Sequence, residues 1–461
     1  MTGRMRMRGG WMLIGWLLLA AVAAGQGQGR GPGMAGPRGE QGAGFIFFDA
    51  IAIPLTGDSS HVRVDVHYRI DREFFVPVKN DETGVPEPFH RRGELLVELL
   101  DSTGTPGGRA LERIEMGDAS AERNAPGHQW RQGILSVTVP PGTYKIAFSV
   151  DDLESKRNHT DNTRMLKIPG GRGGIEGADL FYALPVNPDS SLPASLSPVN
   201  YGSDILFGRP STLVAVWRAG TAEDSVLSAK LTFAQVPPAE EDLDRLPAPV
   251  TAHSRIFRNV ALTPAADGRG YVLAQGGSAS VAFIPFPSEK LLLRTYTAAI
   301  SLSTGGTRTK EITRRSRIVW PDMPFSLKDI DYALDALRYI TTEAQLDSLR
   351  SGNSENRRKT LELFWQRHSR NPAAVFNDVE TEYYHRVDYA IRNFGTLRAP
   401  DGFRSDRGKI YILYGPPTRT DRSLDPAAGY QEIWVYEKLR KEFRFVDVNK
   451  SGTYILVAKP Q

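Results

Sequence analysis

The residues able to carry chemistry are few. Tyr384, His385 and Arg386 stand together, and Asp406 follows in the same region. A histidine brought against a carboxylate makes an acid–base pair, the machinery of a hydrolase. His385 and Asp388 are three apart, a spacing at which side chains meet on a helix, where a solvated pair is the plainer expectation. His61 and His67 are six apart. On one strand they share a face but lie about 20 Å apart, too far to share a metal. Asp151, Asp152 and Glu154 are oxygen ligands of the kind Ca²⁺ takes. They lack a glycine-containing ligand loop, so a polar turn is expected. The chain has no cysteine, which excludes a thiol nucleophile, a Cys-ligated zinc site, an iron–sulfur centre and a disulfide scaffold. It has no HExxH, P-loop or GxSxG pattern, and no dinucleotide fingerprint opening a βαβ unit. No metal and no cofactor is expected.

Charge is equally uninformative about a polyanionic partner. The 461 residues carry a formal +4. Arg4, Arg6, Arg8, Arg30 and Arg38 against Glu40 account for all of it, so residues 45–461 sum to zero and no nucleic-acid partner is expected. Arg4, Arg6 and Arg8 precede a 14-residue apolar run, Trp11 to Ala24, closed by small residues. That is the layout of a secretory signal peptide (residues 1–25), too short to span a bilayer. No transmembrane segment is expected after its cleavage. Residues 26–44 are rich in glycine and read as a flexible linker.

The elements that must position any site begin at Phe45. Val62, Val64, Val66 and Tyr68 alternate with polar residues, as in a half-buried strand. Leu95 to Leu100, Ile134 to Val139 and Tyr144 to Val150 continue the pattern, with Pro140-Pro141-Gly142 as a turn. Residues 169–178 are a Gly-rich break, and a second β pattern runs from Leu213 to Trp320. Tyr144-x-Ile146-x-Phe148 is echoed by Tyr296-x-Ala298-x-Ile300. The expected architecture is mainly β with a C-terminal α+β domain: two tandem immunoglobulin-like β-sandwich modules at 45–175 and 176–322, then helices packed on a small antiparallel sheet at 323–461.

In that last part Ser326 and Ser354 are candidate N-caps, and Thr342 with Gln345 forms a candidate capping box. Phe376, Val379, Tyr383, Val387, Ala390, Ile391 and Phe394 recur at helical spacing, with Gly395 suited to a left-handed C-terminal cap. Ile410, Ile412 and Tyr414 alternate as a strand ended by Gly415, and Ile433 to Tyr436 with Phe443 to Val448 reads as a hairpin.

One ordered series is specific. Phe364-Trp365, then Glu382-x-Tyr384-x-Arg386-Val387-x-Tyr389-Ala390, then Gly402-Phe403-Arg404-Ser405-Asp406-Arg407-Gly408 come first. Tyr411-Ile412-x-Tyr414-Gly415-x-Pro417, Glu432-x-Trp434-x-Tyr436 and Phe443-x-Phe445-x-Asp447 follow. Over about residues 325–461 this series resembles the GWxTD domain family. Phe403 stands at the Trp of the naming motif and Ser405 at its Thr. Arg367-His368-Ser369 stands where the family has Arg-Asp-Pro. The resemblance implies an exported bacterial protein, often with β modules ahead of the domain, and no established activity.

Physically, Gly402 and Gly408 bracket a tight loop, and Phe403 can plug the groove between the fourth helix and the sheet. Asp406 can cap an Asx-turn or pair with Arg386 or Arg407. The favoured reading of the loop is a structural latch; the functional one makes Tyr384, His385, Arg386 and Asp406 a polar pocket, with Tyr384 and His385 turned off the core face of their helix. The expected function is a non-enzymatic binding or envelope-assembly protein, periplasmic or extracellular, whose partner is another envelope protein or a glycan. The alternative is a periplasmic hydrolase using Asp406 and His385. Candidate binding residues are Phe364, Trp365, Glu382, Tyr384, His385, Arg386, Gly402, Phe403, Ser405, Asp406, Arg407, Gly408, Tyr414, Gly415 and Trp434.

Overall fold

In the strand Val62–Asp71, Val64, Val66 and Tyr68 turn to one face and Asp65 and His67 to the other. The faces are seen in a computed structural model that describes residues 46–458. Outside the description are residues 59, 81–86, 119–129, 171–173, 187–190, 200, 220–225, 237–249, 254, 287, 289–290, 305–308, 373, 397–398 and 426–428. The signal and linker readings fall outside the described residues.

The described chain is mainly β, in five sheets, with five α-helices gathered after Pro324. The first sheet holds Ile46–Pro54, Val62–Asp71 and Trp130–Val139. The second is built on Phe89–Leu100, Gly142–Asp152 and Asn158–Ile168, with Pro106–Asp118 and the short Val78–Lys79 on Phe89–Leu100. The third, six-stranded, centres on Ile256–Pro264, Ala279–Phe286 and Ser211–Ala219, with Ile175–Ala183 at one edge. The fourth, five-stranded, centres on Thr309–Val319, Thr295–Thr304 and Val226–Gln235. Pairing is antiparallel throughout these sheets, except where Ile205–Leu206 joins Thr309–Val319 in parallel. The echoed segments Tyr144–Phe148 and Tyr296–Ile300 lie in interior strands of the second and fourth sheets, with their aromatic residues buried.

Side-chain alternation sets how these sheets stack. Val64, Val66 and Tyr68 meet Val97, Leu99, Ile146 and Phe148 between the first and second sheets. Phe48 and Phe148 stack there at 4.2 Å, an arrangement that adds about 1 kcal/mol beyond burial. Leu213, Ala215 and Trp217 meet Leu231, Ala298 and Ile300 between the third and fourth. The alternate residues of the same strand, Val214 and Val216, pack with Ile51, Ile53 and Ile134 of the first sheet. The order is therefore second, first, third, fourth. This corrects the half-buried expectation for Val62–Asp71, because the third sheet covers the face that carries Asp65 and His67.

Polar groups caught in that covered face are paired. Arg63 grips Asp65 with Nε and Nη2, each at 2.8 Å, and reaches Leu262 O at 2.7 Å. Ser136 Oγ donates to Asp65 at 2.7 Å. Tyr271 Oη donates to Asp65 Oδ2 at 2.9 Å, so at its 2.6 Å contact with His67 it accepts from Nε2–H. Arg314, from the fourth sheet, pairs with Asp49 and lies 3.5 Å from Asp179. Asp179 in turn accepts from Ala52 N–H at 2.9 Å. Unpaired, any of these groups would cost several kcal/mol.

The helices are α1 (Ile330–Ala336), α2 (Glu343–Arg350), α3 (Ser354–Arg367), α4 (Asp378–Phe394) and α5 (Asp406–Tyr414). The Thr342/Gln345 capping box is present at α2. Asp329 caps α1 in place of Ser326, which lies in a 3₁₀ turn, and Asn353 caps α3 in place of Ser354. Gly395 has φ −72° and is no left-handed cap. It is needed for space, since a Cβ there would run into Pro400 O. The strand expected at Ile410–Tyr414 is α5, because Ser405 caps it and Tyr411 must turn to stack on Tyr389 at 4.2 Å. A five-residue alternation cannot separate a strand from a short helix covered on several sides. The fifth sheet runs Arg419–Asp425, Gly429–Tyr436, Lys441–Asp447, Ile455–Ala458, with Trp434 paired to Phe443 as the hairpin required. Gly44–Gln461 forms one compact unit, and no described helix is long and apolar enough to cross a membrane.

Burial between the first and third sheets holds His67 down at about 4, against 6.5 when free, although Asp49 and Asp65 pull it up; Arg314 pushes the same way as burial. A folded value below the unfolded one means stability that is full above about pH 6.5 and lost as pH falls towards 4. Urea titrations should therefore lose about 3 kcal/mol over that window. His67→Gln should flatten most of that slope, and an unchanged slope in the variant would refute the assignment.

Candidate functional site

The motif loop follows α4 and starts α5. Gly402 lies so close to α4 that a Cβ would collide with Ala390 O and Gly395 N, and Gly408 is as tight against Gly402 O. Phe403 is fully buried. Its ring sits 5.1 Å from Tyr332 of α1, and its carbonyl accepts from Tyr339 Oη at 2.9 Å. The plug thus fills the α1 side of the loop, correcting its expected place between the fourth helix and the sheet. Ser405 Oγ accepts from Gly408 N–H at 3.0 Å as the α5 cap and donates to Gly402 O at 2.6 Å. Asp406 Oδ2 accepts from Leu456 N–H at 2.8 Å, which fastens the last strand. Its expected pairing with Arg386 or Arg407 is replaced by this contact.

Those two arginines have other partners. Arg386 pairs with Glu382 at 2.7 Å and donates to Ile412 O at 3.3 Å, near the end of α5. There Gly415, at φ +77°, leaves room for the guanidinium, which a Cβ would meet at 3.2 Å. Gly415 O accepts from Tyr436 Oη at 2.8 Å, and Tyr414 packs on Phe443 with ring centres 5.1 Å apart. Arg407 lies over Tyr454 at 4.1 Å and 3.4 Å from Glu432. Glu432 also accepts from Trp434 Nε1 at 2.6 Å.

The polar pocket expected from Tyr384, His385, Arg386 and Asp406 is not assembled. Tyr384 is fully buried and donates to Ala333 O at 3.0 Å, so it points into the core, contrary to the outward direction expected of it. Trp365 packs beside it with ring centres 5.7 Å apart, and Phe364 packs on Trp365 at 5.3 Å. His385 Nε2 reaches Asp322 O at 2.7 Å. Asp388 is buried and accepts from the N–H groups of Phe325 and Ser326 at 2.7 and 3.1 Å. Burial pushes its carboxyl up. His385 and Asp388 thus anchor the entry to the helical region and are not a solvated pair.

Sequence reasoning passed over Asp335, on which Arg338, Arg350 and Arg404 converge. Its signal was a carboxylate inside the apolar run Ala333 to Leu337. Glu380 was also missed; burial, with Glu362 facing it, pushes it up to about 7.

Gly402→Ala should destabilise the protein by about 3 kcal/mol through backbone collision. Ser405→Ala should cost about 1 kcal/mol, and Ser405→Thr, which keeps the capping hydroxyl, should restore most of it. Urea midpoints at constant slope decide this, and a neutral Gly402→Ala would contradict the close packing.

Comparison with known proteins bears on this region. No curated protein matches the chain. Among solved structures, the chain is similar to a biofilm associated protein BSP domain, with 8% identity over 61% of this chain and 53% of that one, TM-score 0.17. It therefore spans about half the length of that structure. A second is the C-terminal domain of the Streptococcus agalactiae AgI/II polypeptide BspA, with 8% identity over 59% of this chain and 99% of that one, TM-score 0.14. At such TM-scores neither likeness bears on fold or function. The GWxTD domain model matches residues 309–459, starting in the strand Thr309–Val319, ahead of the helices. The C-terminal region of this chain is a GWxTD domain.

Proposed function

We propose that this is an exported, non-enzymatic binding or envelope-assembly protein, with the GWxTD domain as its recognition part. The β-rich part is read as two immunoglobulin-like sandwiches, 45–175 and 176–322, that serve as a stiff spacer ahead of the domain at 323–461. The partner is another envelope protein or a glycan, met in the periplasm or outside the cell. One observation carries the reading: the two side chains of the candidate acid–base pair are spent on backbone. Asp406 holds Leu456 N–H and His385 holds Asp322 O, with no hydrogen bond between them among the described residues. An acid–base pair needs mutual reach.

Export predicts that protein recovered from the envelope lacks the apolar run, with an N-terminus just after Ala23 or Gly25. Mass spectrometry of the purified protein decides it, and residues 1–23 still attached would refute cleavage. Binding predicts that the immobilised full chain recovers a specific partner from envelope extract. Equal recovery by a chain ending at Trp320 would remove the GWxTD domain from the recognition role.

A further inference from the structure

Three guanidinium groups meet on one carboxylate beside the motif loop. Asp335 accepts on Oδ1 from Arg338 and Arg350, and on Oδ2 from Arg404 at 2.6 Å. The carboxylate is 12% exposed, whereas the arginines are 34%, 40% and 51% exposed. The anion therefore sits beneath and the cations face solvent. Asp401 flanks Arg404 at 3.5 Å and takes the Tyr332 hydroxyl at 3.3 Å. Counting both carboxylates, the group keeps an excess of one positive charge. Residues 45–461 as a whole are formally neutral, so attraction of an anion depends on a local group such as this one.

A structural ion pair needs one arginine per carboxylate. Here three come from three elements: Arg338 after α1, Arg350 at the end of α2, and Arg404 from the motif loop. Each guanidinium has five N–H donors, and one carboxylate cannot occupy all fifteen. The donors are also held in place. Arg338 Nε donates to Asp335 O at 3.0 Å. The guanidinium groups of Arg338 and Arg404 lie 5.9 and 5.5 Å from the centre of the Phe403 ring. Fixed forks of this kind suit planar or tetrahedral oxyanions, which they bind by charge-assisted hydrogen bonds.

We propose that Arg338, Arg350 and Arg404 form a binding site for an oxyanion, a carboxylate or phosphate carried by the ligand of the GWxTD domain. This rests on the reading of that domain as the recognition part. The bound oxyanion lies over the solvent face of the three guanidinium groups, with Asp335 behind them setting their spacing.

The test is calorimetric titration of the full chain at low ionic strength with two probes: inorganic phosphate and a capped tri-glutamate peptide. Binding of either supports the site, and which one binds names the source of the oxyanion. Arg350→Gln keeps Asp335 paired with Arg338 and Arg404, and should weaken that binding about tenfold. No binding of either probe, or equal binding by the variant, overturns the proposal. The measurement needs no partner, so a chain that binds phosphate yet captures nothing would count against the recognition role alone.

Discussion

The fold depends on burying both faces of a three-stranded sheet. Val62–Asp71 gives one face to the second sheet and the other to the third. Covering the second face removes Asp49, Asp65 and His67 from water. That is tolerable only because Arg63, on the same strand, and Tyr271 and Arg314, from the third and fourth sheets, supply matched donors. Apolar contacts such as Ile51 and Ile53 against Val214 and Val216 press the sheets together. The buried ionic groups restrict which register of the two sheets is acceptable, since a slip would strand a charge. The sheets of the β-rich part thus stack as one layered body, to which the chain after it is attached.

Attachment uses few residues. Phe207, Trp320 and Phe376 meet with ring centres 5.2 to 5.8 Å apart. Asp322 sits at the crossing: its carbonyl accepts from His385, and its charge acts on Arg69, which lies over Trp130 at 4.5 Å and Tyr201 at 4.3 Å. The strand Thr309–Val319 belongs both to the fourth sheet and to the region matched by the GWxTD model. A domain that begins inside the preceding sheet is held by backbone hydrogen bonds as well as by side chains.

What the sequence made legible follows from the range of each interaction. The Thr342 cap, the α4 periodicity and the Trp434–Phe443 hairpin depend on neighbours within a few residues, and each was readable. His67 was not, because the alternation that placed it on a strand cannot say whether another sheet lies over that face. Ile410 to Tyr414 misled for a related reason. A helix packed on several sides hides its period, and the Ser405 cap was the better local signal. The motif residues were identifiable as a group, but their partners were not. Leu456 for Asp406 and Tyr332 for Phe403 are distant in the chain, and neither is implied by spacing.

The same distinction bears on function. In this GWxTD domain the motif closes helices and sheet around Phe403, Ser405 and Asp406. The motif residue left over is Arg404, whose side chain reaches the surface at 51% exposure while its neighbours turn inward. A loop that fixes its own backbone so firmly can hold an exposed arginine at a set distance from Arg338 and Arg350. That gives the structural latch a second consequence. The contacts that make the loop rigid also set the spacing of the three guanidinium groups, and spacing is what a cluster of fixed cations can offer in distinguishing one oxyanion from another.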